Sequence, residues 1–335
     1  METLQLGLIG MGSHGARYAA HLAAGEVEGA RLAVTCRRNR AAGEAQAEKL
    51  DARFTADYRQ VLEDSEVDAV IIVVPPALNV PIAAEAIAAG KGVLVEKPLA
   101  PDAVSARRLV EAARAAAIPA MVAQTLRFNA VVLAVRERLA SLGPLRLISL
   151  SQRFEPSSRA WLDEPESGGI LRNTGVHSFD LIRFLTGREV EEALCFTQSI
   201  ITRHTEDAFA AVLRLSGGAL AVVENDRATA ARSGGIEVVG ERGQLRGDHV
   251  RHTLEEGRGN EWTPIPLSPK AATVRECLKA FVAALRGEAP VAIPLEEGLR
   301  AVAIVDACRE SAEKKGPRRV AGPGSVESDS VSRES

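Results

Sequence analysis

"LQLGLIGMGSHGARYAAHLAA", Leu4 to Ala24, decides the fold. A short apolar run ends in glycine, and helix-forming and small residues at helical spacing follow it, so the stretch reads as a strand turning directly into a helix. Between the two stands Gly10-Met11-Gly12-Ser13-His14-Gly15. Each glycine of this G-x-G-x-x-G turn has a physical task. Gly10 permits the tight turn, Gly12 lets a pyrophosphate reach the backbone, and Gly15 lets helix and strand pack closely. The helix N-terminus, with its unpaired N–H groups, then faces the phosphates.

The surrounding chain supports that reading. "ARLAVTC" makes a second strand, "RAAGEAQAEKL" a helix, "VDAVIIVVPP" a third strand and "VPIAAEAIAAGK" another helix. "GVLVEKP" and "IPAMVAQ" supply further strands around the helix "PDAVSARRLVEAARAAA". Strands and helices alternating at such intervals predict an α/β unit, a doubly wound parallel Rossmann sheet with right-handed crossovers, over residues 1–122. From Pro144 the pattern becomes longer and more alternating, with a hairpin turn at Ser216-Gly217-Gly218. This predicts a C-terminal α+β domain, residues 123–315, with a large, open, mostly antiparallel sheet. "ATVRECLKAFVAALRG" and "LEEGLRAVAIVDACRESAEKK" are expected to close that domain. "GPRRVAGPGSVESDSVSRES", rich in Gly, Pro, Ser and charge, predicts a disordered tail over 316–335.

Composition narrows the function classes. At 335 residues the chain exceeds what one core usually organises, and 46% hydrophobic with 25% charged residues is ordinary for a globular protein. A net charge of −3 supplies no basic field, which argues against nucleic acid and for a small-molecule partner. "AVIIVVPPALNVPIAAEAIAAG" is broken by Pro75, Pro76, Asn79, Pro81 and Glu85, so it is not expected to span a membrane. The N-terminus lacks a basic n-region and a cleavage pattern. Cys36, Cys195, Cys277 and Cys308 are far apart with no CxxC. Buried free thiols in a reducing cytoplasm are expected.

The chemistry-bearing residues cluster at strand ends, where such sheets bind ligands. The acidic residue that usually holds the adenosine ribose at the end of the second strand is replaced by Arg37 and Arg38. Guanidinium groups can hold a 2′-phosphate that a carboxylate would repel, which favours NADP(H), with NAD(H) possible. Pro75 ends the third strand. "VEKPLA" puts Glu96, Lys97 and Pro98 at the end of a buried strand, with Pro98 able to hold a cis bond. Partly desolvated beside a nicotinamide, Lys97 should have a pKa falling toward the working pH, as general acid/base chemistry needs. In "LRNTGVHSFD", Asn173, His177 and Asp180 would share one face of a helix, as a metal site, a proton-transfer site or a capped helix with a polar stripe. No further ligand stands at suitable spacing and Asn is a poor zinc ligand, so no metal is expected.

Taken in order, the G-x-G-x-x-G turn, "EKP", "SGGILRNTGVHSFDLIRFLTG", the open sheet and "PLEEGLRAVAIVDA" resemble the Gfo/Idh/MocA family of oxidoreductases over nearly the whole chain except the tail. The resemblance implies a catalytic group of Lys97, Asn173 and His177 around a sugar or polyol hydroxyl. Asn173 stands where the family pattern has Asp, so a carboxylate relay is lost and only hydrogen bonding remains. Asn79 replaces a frequent histidine near the nicotinamide, and Arg127 in "TLRFN" matches an arginine that approaches the substrate. Asp180 is expected only to anchor its helix or pair with Arg183. The implied activity is hydride transfer between a nicotinamide and a carbinol or keto carbon. Two alternatives stay open: a redox-neutral lyase or glycoside-cleaving enzyme with a tightly held cofactor, and a non-catalytic NADP-binding sensor or partner protein. The free face of an amphipathic sheet suggests a homodimer or homotetramer.

Overall fold

The structure is a computed structural model that describes residues 3–157, 160–165 and 168–322. The first sheet is six-stranded: β1 (Leu4–Ile9), β2 (Ala30–Cys36), β3 (Arg53–Thr55), β4 (Ala69–Ile72), β5 (Gly92–Glu96) and β6 (Ala120–Ala123). Its order is β3-β2-β1-β4-β5-β6 and every pairing is parallel. The connecting helices are α1 (Gly15–Ala23), α2 (Arg40–Lys49), α3 (Tyr58–Glu63), α4 (Pro76–Ala88) and α5 (Ala103–Ala116). Asn39, Asp57 and Asp102 start α2, α3 and α5 by accepting main-chain N–H groups of the first turn. β4, β5 and β6 are buried along their whole length, as strands covered on both faces must be. Strand order reverses between β1 and β4, which opens a crevice at their carboxyl ends. β3 is absent from the sequence reading because three residues are too few to display a period.

A short helical turn (Thr125–Phe128) and α6 (Ala130–Arg138) lead into the second sheet. Its strands are β7 (Leu145–Arg153), β8 (Val190–Gln198), β9 (Ala208–Leu215), β10 (Leu220–Asp226), β11 (Ser233–Gly240), β12 (Gly243–Asp248), β13 (Thr253–Arg258), β14 (Glu261–Pro264) and β15 (Arg318–Arg319). The order is β14-β13-β12-β11-β7-β10-β9-β8-β15, with β7 and β10 parallel and the other pairings antiparallel. α7 (Val176–Thr186) packs against this sheet. The hairpin expected at Ser216-Gly217-Gly218 joins β9 to β10.

Two expectations need correction. Arg318 and Arg319, assigned to a tail beginning at 316, pair with Glu192 and Ala193, and Val320 N–H donates to Glu191 O at 3.0 Å. Val320 also packs on the second core, so side-chain packing and main-chain pairing both hold this segment to the sheet edge. Residues 323–335 of the expected tail lie outside the described residues. The other correction concerns α8 (Thr273–Leu285) and α9 (Leu295–Lys314). α8 buries Val274, Cys277, Leu278 and Phe281 in the core of the first sheet rather than closing the second domain. α9 serves both cores, burying Leu295, Leu299 and Val302 in the first and Ile304, Val305 and Cys308 in the second. All four cysteines are buried and free, and no helix of the described residues is long and apolar enough to cross a membrane.

A buried ionic network ties α9 to the elements that carry the site. Arg127 donates from Nε and Nη2 to the two Asp180 oxygens at 2.8 and 2.6 Å, and from Nη2 to Glu297 at 2.6 Å. Arg183 bonds Glu297 at 2.9 Å and Glu189 at 2.8 Å. Burial opposes ionisation of Glu297, but hydrogen bonds from Arg183 and Arg127 and their charges win and lower its carboxyl from 4.5 to about 2. A carboxyl depressed in the folded state contributes stability that is present above about pH 4.5 and lost as pH falls toward 2. The melting temperature should therefore drop steeply across that interval, and Glu297→Gln should flatten the drop. An equally steep profile in the variant would mean that Glu297 is not the group being protonated.

Candidate functional site

The carboxyl ends of β1, β4 and β5 meet the glycine turn and the start of α1. Gly10 has φ +104°, and a Cβ there would collide with Val73 O, while one at Gly15 would strike Gly10 O. At Gly12 a Cβ would meet nothing within 4 Å, so bare backbone lies open at the loop tip with exposed Ser13 beside it. Backbone sterics thus require glycine at positions 10 and 15, and the open backbone at Gly12 leaves room for a dinucleotide pyrophosphate at a helix N-terminus. Met11 contributes differently: its side chain is buried and its N–H donates to Cys36 O at 3.3 Å. Past the end of β2, Arg37 is half-buried with Nη1 on Gln46 at 2.8 Å, and Arg38 is exposed. Pro75 is exposed past the end of β4.

Glu96, at the end of β5, is buried yet collects two donors from α1 and its approach. His14 Nε2 lies 2.9 Å from Oε1, an ion-pair distance, and the Tyr18 hydroxyl donates to Oε2 at 2.7 Å. Burial would raise the carboxyl's pKa; His14, the Lys97 charge and Tyr18 hold it below the ordinary value. The Lys97–Pro98 peptide is cis. Asn79, buried in α4, clasps this turn by donating Nδ2 to Glu96 O at 3.0 Å and Pro98 O at 2.8 Å, and its Oδ1 is sealed without a partner. Lys97 thus leaves a rigid turn and crosses to the second domain, where Nζ donates to the Asn173 main-chain oxygen at 2.9 Å. Burial lowers the Lys97 pKa, Glu96 pulls it back up, and the charge of Arg227 pushes it down again.

The segment carrying Asn173 differs from the expected α-helical stripe. Leu171–Gly175 is a π turn, entered through Gly168 and Gly169 at positive φ, and α7 starts only at Val176. The wider turn aims the Asn173 main-chain oxygen at Lys97, while its Nδ2 donates to Gly169 O at 2.8 Å. His177, in the first turn of α7, has Nδ1 buried without a partner. Burial, and then the charges of Lys97, His14 and His249, hold its pKa well below 6.5. Asp180 binds Arg127 rather than Arg183, and this corrects the expectation for both residues. The guanidinium expected to approach a substrate is spent on Asp180 and Glu297 and lies over the Phe184 ring.

Sequence reasoning overlooked three residues here. Tyr18 stands one helical turn after His14, so the i, i+4 relation could have revealed it. Gln124, just past β6 and 1% exposed, has neither side-chain polar atom paired. Arg227, just past β10, is 5% exposed with Nη1 sealed and unpaired. No local pattern marks these two.

A doubly wound dinucleotide-type domain joined to an open-sheet domain, with a lysine bridging the two, defines a class of nicotinamide-dependent oxidoreductases. Sequence comparison agrees: the pattern "Oxidoreductase family, NAD-binding Rossmann fold" matches residues 4–124 and "GFO/IDH/MocA C-terminal domain" matches 132–246. The chain belongs to the Gfo/Idh/MocA oxidoreductase family. It is 29% identical to an inositol 2-dehydrogenase of Rhizobium meliloti over 329 residues, covering 93% of this chain and 98% of the relative. In fold it is similar to an oxidoreductase domain protein of Kribbella flavida, with TM-score 0.88, 24% identity and coverage of 96% and 100%. A levoglucosan dehydrogenase in complex with NADH has the same fold, with TM-score 0.88, 21% identity and coverage of 96% and 100%.

The His177 environment makes a direct prediction. Because its charged form is disfavoured, the imidazole should stay neutral at and well below pH 6.5. Ring C–H resonances, assigned by their loss in His177→Asn, should stay flat as pH falls to 6.5, and the midpoint should rise in Lys97→Met, where one neighbouring positive charge is gone. A wild-type midpoint at or above 6.5 contradicts this environment.

Proposed function

We propose that the protein is an NADP(H)-preferring dehydrogenase or reductase acting on a hydroxyl or keto carbon of a sugar, polyol or related small molecule. One observation carries the reading: Lys97 runs from the end of β5 to the Asn173 carbonyl, with its charge bearing on His177, whose Nδ1 is buried without a partner among the described residues. The names of the inositol and levoglucosan dehydrogenases among its relatives point to the same substrate class. The open backbone at Gly12, the α1 N-terminus, Ser13, and Arg37 and Arg38 toward a 2′-phosphate would hold the dinucleotide. Glu96, His14 and Asn79 support its nicotinamide end. Once bound, the nicotinamide supplies the carbon that accepts or returns a hydride.

The chain's own residues handle the proton. During alcohol oxidation the substrate O–H proton passes to Lys97, whose depressed pKa makes the amine available. The Asn173 main-chain oxygen fixes the direction of Nζ, and the neutral His177 ring offers a hydrogen bond to the same hydroxyl. Asn173 cannot carry a proton, so Lys97 and His177 do this without a carboxylate relay. A fluorescence titration followed by a sugar and polyol screen at the nicotinamide absorbance tests the reading. NADPH should bind about ten- to a hundredfold tighter than NADH, the worth of charged hydrogen bonds, and Arg37→Ala should reduce that preference. Lys97→Met should cost roughly 10²- to 10⁴-fold in kcat and leave NADPH affinity near that of the wild type. Failure to bind either dinucleotide sinks the reading.

We further propose a cytoplasmic location, in keeping with four free thiols, and a homodimer or homotetramer through the outer face of the second sheet. Phe196 on β8, Val212 on β9 and Leu220 on β10 are exposed there, an apolar patch that association would cover. Light scattering should report a mass of at least twice the 35.5 kDa chain, reduced in Val212→Arg; a monomeric wild type would refute the association.

A further inference from the structure

Among the described residues, Nη1 of Arg227 is buried without a hydrogen-bond partner. Its side chain is 5% exposed, and among the described residues no hydrogen bond or ion pair reaches its guanidinium. Two carboxylates lie within range of its charge, Glu206 and Asp207, and both are engaged elsewhere. Glu206 accepts the Leu171 N–H at 2.9 Å, and Asp207 accepts the N–H groups of Ile200, Ile201 and Thr202 at 2.8, 2.6 and 2.8 Å. Only the backbone of Arg227 is tied down, its N–H donating to Asp207 O at 2.9 Å. A guanidinium taken out of water without an acceptor is costly, and an acceptor that arrives with a ligand would relieve that cost.

Its place says which acceptor. Arg227 follows β10, whose end lies beside the π turn that receives Lys97, and its charge bears on Lys97. Two positive charges are therefore close enough to act on each other beside the π turn. We infer that the substrate carries an anionic oxygen group, a carboxylate or a phosphate, which Arg227 receives opposite Lys97. This rests on the oxidoreductase reading above and narrows its substrate class to sugar acids and sugar phosphates. The guanidinium fork matches two oxygens of such a group. A neutral polyol can accept hydrogen bonds from the guanidinium but brings no counter-charge, and hydrogen bonds between charged partners are the stronger ones.

Calorimetry on the dinucleotide-saturated protein tests this with two matched pairs: gluconate against sorbitol, and glucose 6-phosphate against glucose. In the wild type at least one anionic member should bind about tenfold tighter than its neutral partner, the lower end for charged hydrogen bonds. The pair showing the difference identifies carboxylate or phosphate. Arg227→Gln should abolish the difference with dinucleotide affinity unchanged, and Arg227→Lys should keep part of it. Equal affinities within both wild-type pairs, an equal loss for both members in Arg227→Gln, or no binding of any probe overturns the inference. If a dinucleotide binds and a neutral polyol is oxidised as efficiently as its acid, the oxidoreductase reading stands and this one falls. If no dinucleotide binds, the oxidoreductase reading has failed first.

Discussion

A carboxylate buried at the end of β5 organises the catalytic end of the molecule. Glu96 is 7% exposed, and an ionised group at such a depth survives only if its oxygens are occupied. His14 from the glycine turn and Tyr18 from α1 occupy them. The phosphate-binding loop, the first helix and the end of the central strand are thereby tied to one another. Asn79 adds α4 by holding the two carbonyls on either side of Lys97. The lysine has little freedom left: its backbone is fixed by this clasp and its ammonium by the Asn173 carbonyl of the other domain. A group held at both ends needs no reordering when a substrate arrives, which is what proton transfer in a fixed geometry requires.

The second constraint is the pairing of Arg127 with Asp180 and Glu297. Breaking one member of such a buried set leaves an uncompensated charge, a loss of about 3–5 kcal/mol. This pairing sets α7 against α9 and the turn after β6, and His177 lies one turn before Asp180 on α7. The position of the imidazole thus depends on a network built from three elements. α9 extends the same logic to the whole chain, since its first half is buried in one core and its second half in the other.

Much of this was legible in the sequence, for identifiable reasons. The glycines of Gly10-Met11-Gly12-Ser13-His14-Gly15 report steric limits that act over a few bonds, so their roles could be assigned before any contact was known. Lys97 and His177 stood out because their chemistry is rare at strand ends and beside paired glycines. What spacing could not show is that the main-chain oxygen of Asn173 receives Lys97, because the backbone there takes a π turn. Arg127 looked like a substrate ligand because sequence carries the charge of a residue and not its partner.

Local physics therefore settled the alternation of strands and helices, the parallel sheet and the place of the dinucleotide-type turn, since periodicity and glycine sterics act between near neighbours. Tertiary structure alone decided that α8 belongs to the first core, that Arg318 and Arg319 add a strand to the second sheet, and that Asp180 takes Arg127. It also decided that Arg227 is left without a partner beside Lys97. These outcomes depend on which surfaces and charges meet across long stretches of chain. Burial and pairing are properties of the packed interior, and no window of sequence contains them.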